Sequence, residues 1–259
     1  MLGNALDNYS KEIPSLQNAI DIFHGEWSSA IPGASASGPA PLFSDPRAAY
    51  WIDKVAQHFN QSSLSRQINA LELGPLEGAH TYMYAHAGWK VTSVESNSRA
   101  FLKTLIVYNE FSLNAKVLFG DFIPYLGHVD TPVYDFISAS GVLYHMKDPI
   151  DALDLMCSHC LSLGLWTHFI TDEFIDAWPG RWVEHHLISD EQSFTGYKQY
   201  YGTGLESHAF CGGGQDYAIW LKKDDILQRI MSHGFTINIR DIDADHPNGP
   251  CMTLFASKH

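Results

Sequence analysis

The sequence is poor in basic residues. Its 259 residues include 16 lysines and arginines against 29 aspartates and glutamates, which gives a formal net charge of -13. A negative field repels phosphate backbones. The densest basic stretch, Lys222-Lys223, is followed at once by Asp224-Asp225 and forms no basic patch. A nucleic-acid partner is therefore not expected.

Long apolar runs are also missing. A membrane-spanning helix needs about 20 consecutive apolar residues, and no stretch of the sequence approaches that length. Residues 1–10 have neither the basic start nor the apolar centre of a secretory signal. We therefore expect a cytoplasmic protein with no membrane partner. A homodimer is one expected form of the protein.

Cysteine is scarce as well, with four in the chain. Cys157 and Cys160 form a C-x-x-C pair, a spacing found in redox and zinc sites. No second pair follows at metal-finger spacing, and Cys211 and Cys251 are isolated. We therefore expect buried free thiols rather than a redox or metal centre.

From Asn69 onward, short strand-like segments alternate with helical ones. The pattern predicts strands at 70–73, 90–95, 116–119, 134–139 and 163–170, and helices at 79–87, 98–111 and 148–160. A helix at 223–233 and an antiparallel pair of strands at 236–241 and 251–256 follow. This alternation predicts an α/β fold with a Rossmann-like, doubly wound, mostly parallel sheet.

The segment after the first strand is typical of a nucleotide-type site. Glu72-Leu-Gly74-Pro-Leu-Glu-Gly78 combines a tight glycine turn with a helix N-terminus that faces the ligand. A dinucleotide fold has glycine at the position of Leu76, which makes room for a pyrophosphate. Leu76 obstructs that group and Glu72 repels it. S-Adenosylmethionine carries an ammonium group and no phosphate, so it fits this segment better.

Acidic residues also follow the next two strands. Glu95 ends the second strand, 21 residues after Gly74, where a carboxylate accepts hydrogen bonds from both ribose hydroxyls. Asp121 is placed to accept from an adenine amino group, with Phe122 stacked on the ring. A helix N-cap or a turn residue is the alternative for Asp121.

Together these motifs resemble class I S-adenosylmethionine-dependent methyltransferases. The segments ELGPLEG at 72–78, GDF at 120–122 and SGVLYHMKDP at 140–149 occur in the order and spacing of that family. The last segment is most similar to the wobble-uridine tRNA methyltransferase-like group. The resemblance covers about residues 69–170. It departs from the family at Leu76, where many members have glycine.

The resemblance implies S-adenosylmethionine as the cofactor and a fold whose last strand inserts antiparallel. It assigns cofactor contacts to four loops: Gly74 and Gly78 at the methionine end, Glu95 at the ribose, Asp121 and Phe122 at the adenine, and Ser140 and Gly141 beside the reactive methyl group. The expected acceptor is a small molecule methylated on O, N or C. The alternatives are a tRNA-modifying enzyme, which the negative charge disfavours, and a non-catalytic adenosyl-binding protein, which the intact motifs disfavour.

Methyl transfer needs an aligned acceptor, exclusion of water, and a base where the nucleophile is protonated. His145 follows the fourth strand, where this fold opens to the acceptor, and an ordinary histidine pKa suits proton transfer near neutrality. His145 is therefore the candidate base, with a helix-capping role as the alternative. His168, near the end of the fifth strand, is the second catalytic candidate.

Two segments depart from the strand–helix alternation. Residues 1–66 are predicted to form a helical lid, with helices at 10–25 and from Pro46 to about Phe59. Either Trp27 or Arg47 touches a ligand, or the segment only covers the sheet.

Residues 67–259 are predicted to form the methyltransferase domain, with an aromatic, irregular acceptor-binding insert at 171–221. The expected pocket-wall residues of the insert are Trp178, Arg181, Trp182, Tyr197, Tyr200 and Tyr201.

The insert also contains Glu184, His185 and His186, whose side chains are potential metal ligands. Neighbouring side chains diverge on a strand, and the spacing H-x-x-x-H is absent from this segment. No metal site is therefore expected.

Overall fold

The computed structural model describes residues 9–61, 67–189, 192–206 and 212–258. The described residues contain ten strands: β1 (Asn69–Leu73), β2 (Lys90–Glu95), β3 (Ala115–Phe119), β4 (Tyr134–Ser140), β5 (Cys160–His168), β6 (Val183–Ser189), β7 (Gln192–Tyr200), β8 (Tyr217–Leu221), β9 (Phe235–Asp243) and β10 (Cys251–Lys258).

The same residues contain eight α-helices: α1 (Leu16–Asp21), α2 (Pro46–Gln61), α3 (Ala79–His86), α4 (Ser98–Glu110), α5 (Phe122–Leu126), α6 (Pro149–Ser158), α7 (Asp172–Ala177) and α8 (Lys223–Ser232). Three short 3-10 helices complete them: Leu42–Ser44, Leu143–His145 and Gly202–Glu206. In the part of the chain that is described, no helix has the length and apolar character that crossing a membrane requires.

Seven strands form the main sheet in the order β3-β2-β1-β4-β5-β10-β9. The first five are parallel, and β10 runs antiparallel to both of its neighbours. Strand β4 is buried along nearly its whole length, as expected for a central strand covered on both faces. The predicted Rossmann-like sheet with an antiparallel closing strand is confirmed.

Successive residues of β4 pack into different hydrophobic clusters because strand side chains alternate between faces. Phe136 packs with Trp51 of α2 and Tyr84 of α3. Ile137 belongs to the cluster that contains Leu153 of α6. The helices therefore cover both faces of the sheet, as a doubly wound fold requires.

Helix α1 is much shorter than the predicted helix at 10–25. The Ser15 hydroxyl accepts a hydrogen bond from the Asn18 amide, which caps the helix directly before Leu16. Pro14 precedes this cap. Ile13, whose apolar spacing suggested an earlier helix start, lies before Pro14 and is not helical.

The insert has more regular structure than its sequence predicts. It contains α7 and an antiparallel sheet in the order β6-β7-β8. Strand β6 is largely exposed and has one buried residue, so its sequence lacks the strict alternation that marks a half-buried strand. The absence of this alternation explains why the strand was not predicted from the sequence.

Among the described residues, three cysteines are buried and form no disulfide: Cys157, Cys160 and Cys251. Burial raises the pKa of the Cys157 thiol to about 12. Cys211 lies outside the described residues.

The amino-terminal segment is anchored to the sheet domain by a buried ion pair. Glu77 accepts hydrogen bonds from the backbone amides of Ser28 (2.9 Å) and Ser29 (2.8 Å) and from the Lys103 ammonium (2.8 Å). Lys103 also donates to the Glu26 carbonyl (2.9 Å). Glu77 is 1% exposed and Lys103 is 6% exposed, so neither charge is well hydrated.

We predict that Glu77→Gln lowers the free energy of unfolding by about 3–5 kcal/mol, because it leaves the Lys103 charge buried without its carboxylate. The matched control is Glu26→Gln, which breaks the more exposed Glu26–Arg99 pair and is expected to cost about 0–1 kcal/mol. Urea unfolding at neutral pH measures both. Equal, small losses would show that the buried pair does not anchor this segment.

Candidate active site

A cavity of about 240 Å³ lies at the carboxyl ends of β1, β2 and β4. The strand order reverses between β1 and β4, so their following loops separate and leave a crevice. Ligands of open α/β sheets bind at such switch points. The cavity is therefore the candidate active site.

Six of the eight predicted cofactor residues line the cavity: Glu72, Gly74, Glu95, Phe122, Ser140 and Gly141. His145 lines it too. Gly78, Asp121 and His168 are not among the described residues that do so.

Gly78 and Asp121 have other roles in the local structure. Gly78 caps α3 with a φ of 75°, and a Cβ there would lie 2.9 Å from Tyr108 Cε1. The Asp121 carboxylate caps α5 by accepting a hydrogen bond from the Ile123 amide (2.8 Å). The capping alternative for Asp121 is thus present in the structure, and its contact with adenine stays a prediction.

The turn between β1 and α3 has an unusual backbone. Gly74, Leu76 and Gly78 have φ values of 61°, 56° and 75°. This left-handed conformation costs a non-glycine residue about 1–2 kcal/mol. Leu76 therefore has a backbone conformation that glycine favours, although its side chain is bulky.

Glu95 joins the two loops that border the cavity. Its carboxylate accepts hydrogen bonds from the Leu76 amide (3.2 Å) and the Asn97 amide (2.8 Å). Burial raises the pKa of Glu95, and the backbone hydrogen bonds oppose that rise. The side chain is thus a buried, oriented acceptor at the end of β2.

Glu72 is also buried and lies in a network of hydroxyl groups. Thr81 donates to its carboxylate, and the Tyr108 hydroxyl donates to Thr81 (2.8 Å). Ser93 lies 2.6 Å from the Tyr108 hydroxyl. Burial raises the pKa of Glu72, with the charge of His80 acting in the opposite direction.

A charged cluster from the amino-terminal segment contributes another wall. Asp45 binds Arg47 through a bidentate contact and His80 Nε2 at 2.9 Å. Burial raises the pKa of Asp45, but the hydrogen bonds from His80 and Arg47 outweigh it and hold that pKa well below its usual range. Arg47 also lies over the Trp166 ring, 4.6 Å from the ring centre.

Of the two predicted ligand contacts in this segment, Arg47 lines the cavity. The Trp27 indole instead donates to the Ile20 carbonyl (2.8 Å) and packs in the apolar cluster beside α4. Ser29 also lines the cavity, and nothing in the sequence distinguishes it from other serines. Its hydroxyl is fully buried and has no hydrogen-bond partner among the described residues. This hydroxyl is therefore available to a polar ligand or a water molecule at this wall.

Tyr144, His145, Met146 and Trp166 line the other end of the cavity. His145 Nδ1 lies 2.7 Å from the hydroxyl of Tyr201 in the insert. Burial, together with the charge of His168, lowers the pKa of His145 to about 4. This lowered pKa differs from the ordinary histidine pKa that the sequence led us to expect, and its main cause is desolvation of the ring.

The aromatic residues of the insert form two groups. Trp182 packs with Trp220 and Phe174 behind the cavity, whereas Trp178 and Tyr200 are exposed. Gly213 is the insert residue that lines the cavity in the described ranges. The expectation that the six named side chains of the insert form the pocket wall was wrong, since none of these described residues lines the cavity. Tyr201 contacts the cavity residue His145.

His168 lies one layer behind the cavity wall. Its Nδ1 contacts the carbonyls of Gly249 (2.8 Å) and Pro250 (3.3 Å). Its ring meets that of Tyr144 edge-on at 4.6 Å. Because these carbonyls occupy Nδ1, that nitrogen does not contact the cavity. The catalytic role of His168 stays a prediction.

We predict that the His145 imidazole protonates near pH 4 rather than near 6.5. The unfolded chain then binds the proton first, so folding stability falls as the pH drops from about 6.5 to about 4 and is independent of His145 above that window. NMR titration of the ring protons, assigned by comparison with His145→Gln, measures the value. A midpoint near 6.5 would contradict the buried environment.

No protein-family model and no curated protein sequence matches the chain. Solved structures do. The N-terminal domain of EvdMO1, crystallised in the presence of SAH and D-fucose, has 17% identity and a TM-score of 0.66, and the match covers 94% of this chain and 95% of that domain. The match covers 47% of the longer EvdMO1 chain.

Two enzymes with less similar structures show the same architecture. Magnesium protoporphyrin IX methyltransferase from Synechocystis PCC 6803, with bound SAH, has 14% identity and a TM-score of 0.53 over 82% of this chain and 84% of that one. The CcbJ methyltransferase from Streptomyces caelestis has 12% identity and a TM-score of 0.54 over 95% and 100%. The similarity to the wobble-uridine tRNA group stays a prediction. At these identities the comparisons show the fold, and the chain has the Rossmann-like fold of class I methyltransferases.

Proposed function

We propose that this chain is an S-adenosylmethionine-dependent methyltransferase that acts on O, N or C of a small molecule. The observation that carries the proposal is the pair of buried carboxylates, Glu72 and Glu95, in the cavity at the switch point of a methyltransferase fold. Glu72 disfavours the pyrophosphate of a dinucleotide, whereas Glu95 suits the ribose of either cofactor. Together the two carboxylates favour a ligand that combines an ammonium group with ribose hydroxyls.

The residues of the cavity fit this cofactor, which supplies an activated methyl group on a sulfonium sulfur when bound. Glu95 accepts hydrogen bonds from the ribose, and Glu72 compensates the ammonium charge. Phe122 covers the adenine. The buried Ser29 hydroxyl, which has no partner among the described residues, gains a polar partner from the ligand.

At the acceptor end, His145 positions the acceptor or removes its proton. When Nδ1–H donates to the Tyr201 hydroxyl, Nε2 carries the lone pair that takes a proton. The lowered pKa keeps Nε2 unprotonated throughout the physiological pH range, but it also makes the ring a weaker base than an ordinary histidine, which favours the positioning role. Trp166 and Tyr144 provide an aromatic wall for a planar or partly apolar acceptor.

A small-molecule acceptor agrees with the charge of the chain and with its structural neighbours. The net charge of -13 opposes binding of tRNA. One neighbour was crystallised in the presence of D-fucose, and another is named for methylation of a magnesium porphyrin.

Calorimetry with adenosylhomocysteine tests the cofactor assignment. We predict that Glu95→Gln weakens its binding by about 1.5–3 kcal/mol, the range for hydrogen bonds to a charged group. Glu110→Gln, at the exposed end of α4, serves as the control and leaves the affinity unchanged. If the wild-type chain does not bind, or Glu95→Gln binds equally well, the cofactor site lies elsewhere or the function is different.

For turnover, we predict that His145→Ala lowers the rate by about 10²–10⁴-fold and leaves cofactor affinity nearly intact. Transfer of labelled methyl groups to acceptors found in a small-molecule screen measures the rate. Because the pKa of His145 is about 4, the wild-type rate is expected to be flat from pH 6 to 8. The exposed His186 provides the control His186→Ala. A full rate in His145→Ala would remove His145 from the mechanism.

A further inference from the structure

Three side chains that commonly bind transition metals converge behind the aromatic wall of the cavity. They are His168 at the end of β5, His246 in the connection between β9 and β10, and Cys251 at the start of β10. Their ligand atoms all lie within 4.8 Å of one another. His168 and Cys251 are buried, and His246 is half-buried.

His168 is held as a metal-binding histidine usually is. Its Nδ1 donates to the Gly249 carbonyl (2.8 Å), which fixes the tautomer and leaves Nε2 as the ligand atom. The ring also stacks on Trp220, with centroids 5.0 Å apart and an interplanar angle of 8°. The orientation of this imidazole is therefore set before any ion arrives.

Cys251 is placed by the sheet itself. It pairs directly with His168 in the antiparallel register of β5 and β10. Trp166, two residues before His168 on β5, has its ring centre 5.2 Å from that of His168 and also lines the cavity. The cluster therefore lies directly behind the candidate active site.

We propose that His168, His246 and Cys251 bind one divalent ion of the zinc class. Two imidazole nitrogens and one thiolate form a donor set that suits Zn²⁺, and three protein ligands leave a fourth position open for water or another oxygen ligand. The proposal is independent of the cofactor assignment. It gives His168 a role that its position behind the wall permits.

Binding requires a small contraction of the cluster. Tetrahedral zinc, with bonds of about 2.0–2.3 Å, places its ligand atoms about 3.3–3.8 Å apart, which is closer than the present limit of 4.8 Å. His246 lies in an exposed connection and supplies the movement. Its Nδ1 accepts a hydrogen bond from the Asn248 amide (3.2 Å), which leaves the ring proton on Nε2. When Nε2 coordinates the ion, that proton moves to Nδ1 and the Asn248 contact is lost.

The bound ion ties the β9–β10 connection to the wall that Tyr144 and Trp166 form. His168 contacts both rings, with centroid distances of 4.6 Å and 5.2 Å. The ion therefore stabilises this end of the cavity from behind and raises the thermal midpoint of the chain, because the three ligands converge only in the folded state.

Cobalt titration of the chelator-treated full chain tests the proposal. We expect one Co²⁺ per chain, with the intense visible bands of tetrahedral cobalt and a thiolate-to-cobalt charge-transfer band. Cys251→Ser removes the charge-transfer band. His246→Ala lowers Co²⁺ affinity more than about tenfold, since even outer-shell changes cost 10–100-fold. The controls Cys157→Ser and His186→Ala, at a distant thiol and an exposed imidazole, keep both signals.

A second measurement separates metal binding from misfolding of a variant. Zn²⁺ is expected to raise the thermal midpoint of the wild-type chain and not that of His246→Ala, whose circular dichroism stays native. Absence of the charge-transfer band, or its survival in Cys251→Ser, overturns the site. Adenosylhomocysteine calorimetry on the same preparation shows independently whether the proposed function holds, so failure of one proposal is distinguishable from failure of the other.

Discussion

The turn from Gly74 to Gly78 holds both sides of the cavity in place. Its left-handed residues direct the Leu76 amide to Glu95 at the end of β2 and place Glu77 beneath the amino-terminal segment. One side of the turn therefore positions the β2–α4 loop, and the other anchors Ser28 and Ser29. The strain of a left-handed leucine, about 1–2 kcal/mol, is offset by these buried hydrogen bonds. A turn without positive φ would lose both connections.

Buried carboxylates make the cavity electrostatically costly. Glu77 is compensated by Lys103, whereas Glu72 and Glu95 are held by hydroxyl and amide donors in the described structure. Burial raises the pKa of Glu72 and of Glu95 because the charged forms are poorly hydrated. A ligand that brings a positive charge favours the carboxylate form, so its binding is coupled to loss of any proton these groups hold. If the proposed function holds, a cationic, hydroxyl-rich ligand offsets this electrostatic cost when it binds.

The sequence predicts the main sheet well because its strands and helices differ in period. It fails for β6, whose single buried residue leaves no alternation, and for the start of α1, which the Ser15 cap decides. The glycine turn and the acidic residues at the strand ends allowed most of the cavity-lining cofactor residues to be predicted from the sequence. Contacts between distant residues have no signal in one sequence. The Asp45–His80 pair spans 35 positions, and His168 meets Cys251 only because β5 and β10 are antiparallel neighbours.

The two ends of the cavity are built by different parts of the chain. The loops after β1, β2 and β4 and the amino-terminal segment form the end that contains Glu72 and Glu95. The other end depends on the insert, because the Ile219 amide of β8 donates to the Met146 carbonyl (2.9 Å) and Tyr201 holds His145. The insert therefore contacts both His145 and its neighbour Met146. Under the proposed function, substitutions in the insert would change the end of the cavity that contains His145 and leave the end that contains Glu72 and Glu95 in place, so acceptor preference would diverge while cofactor binding is retained.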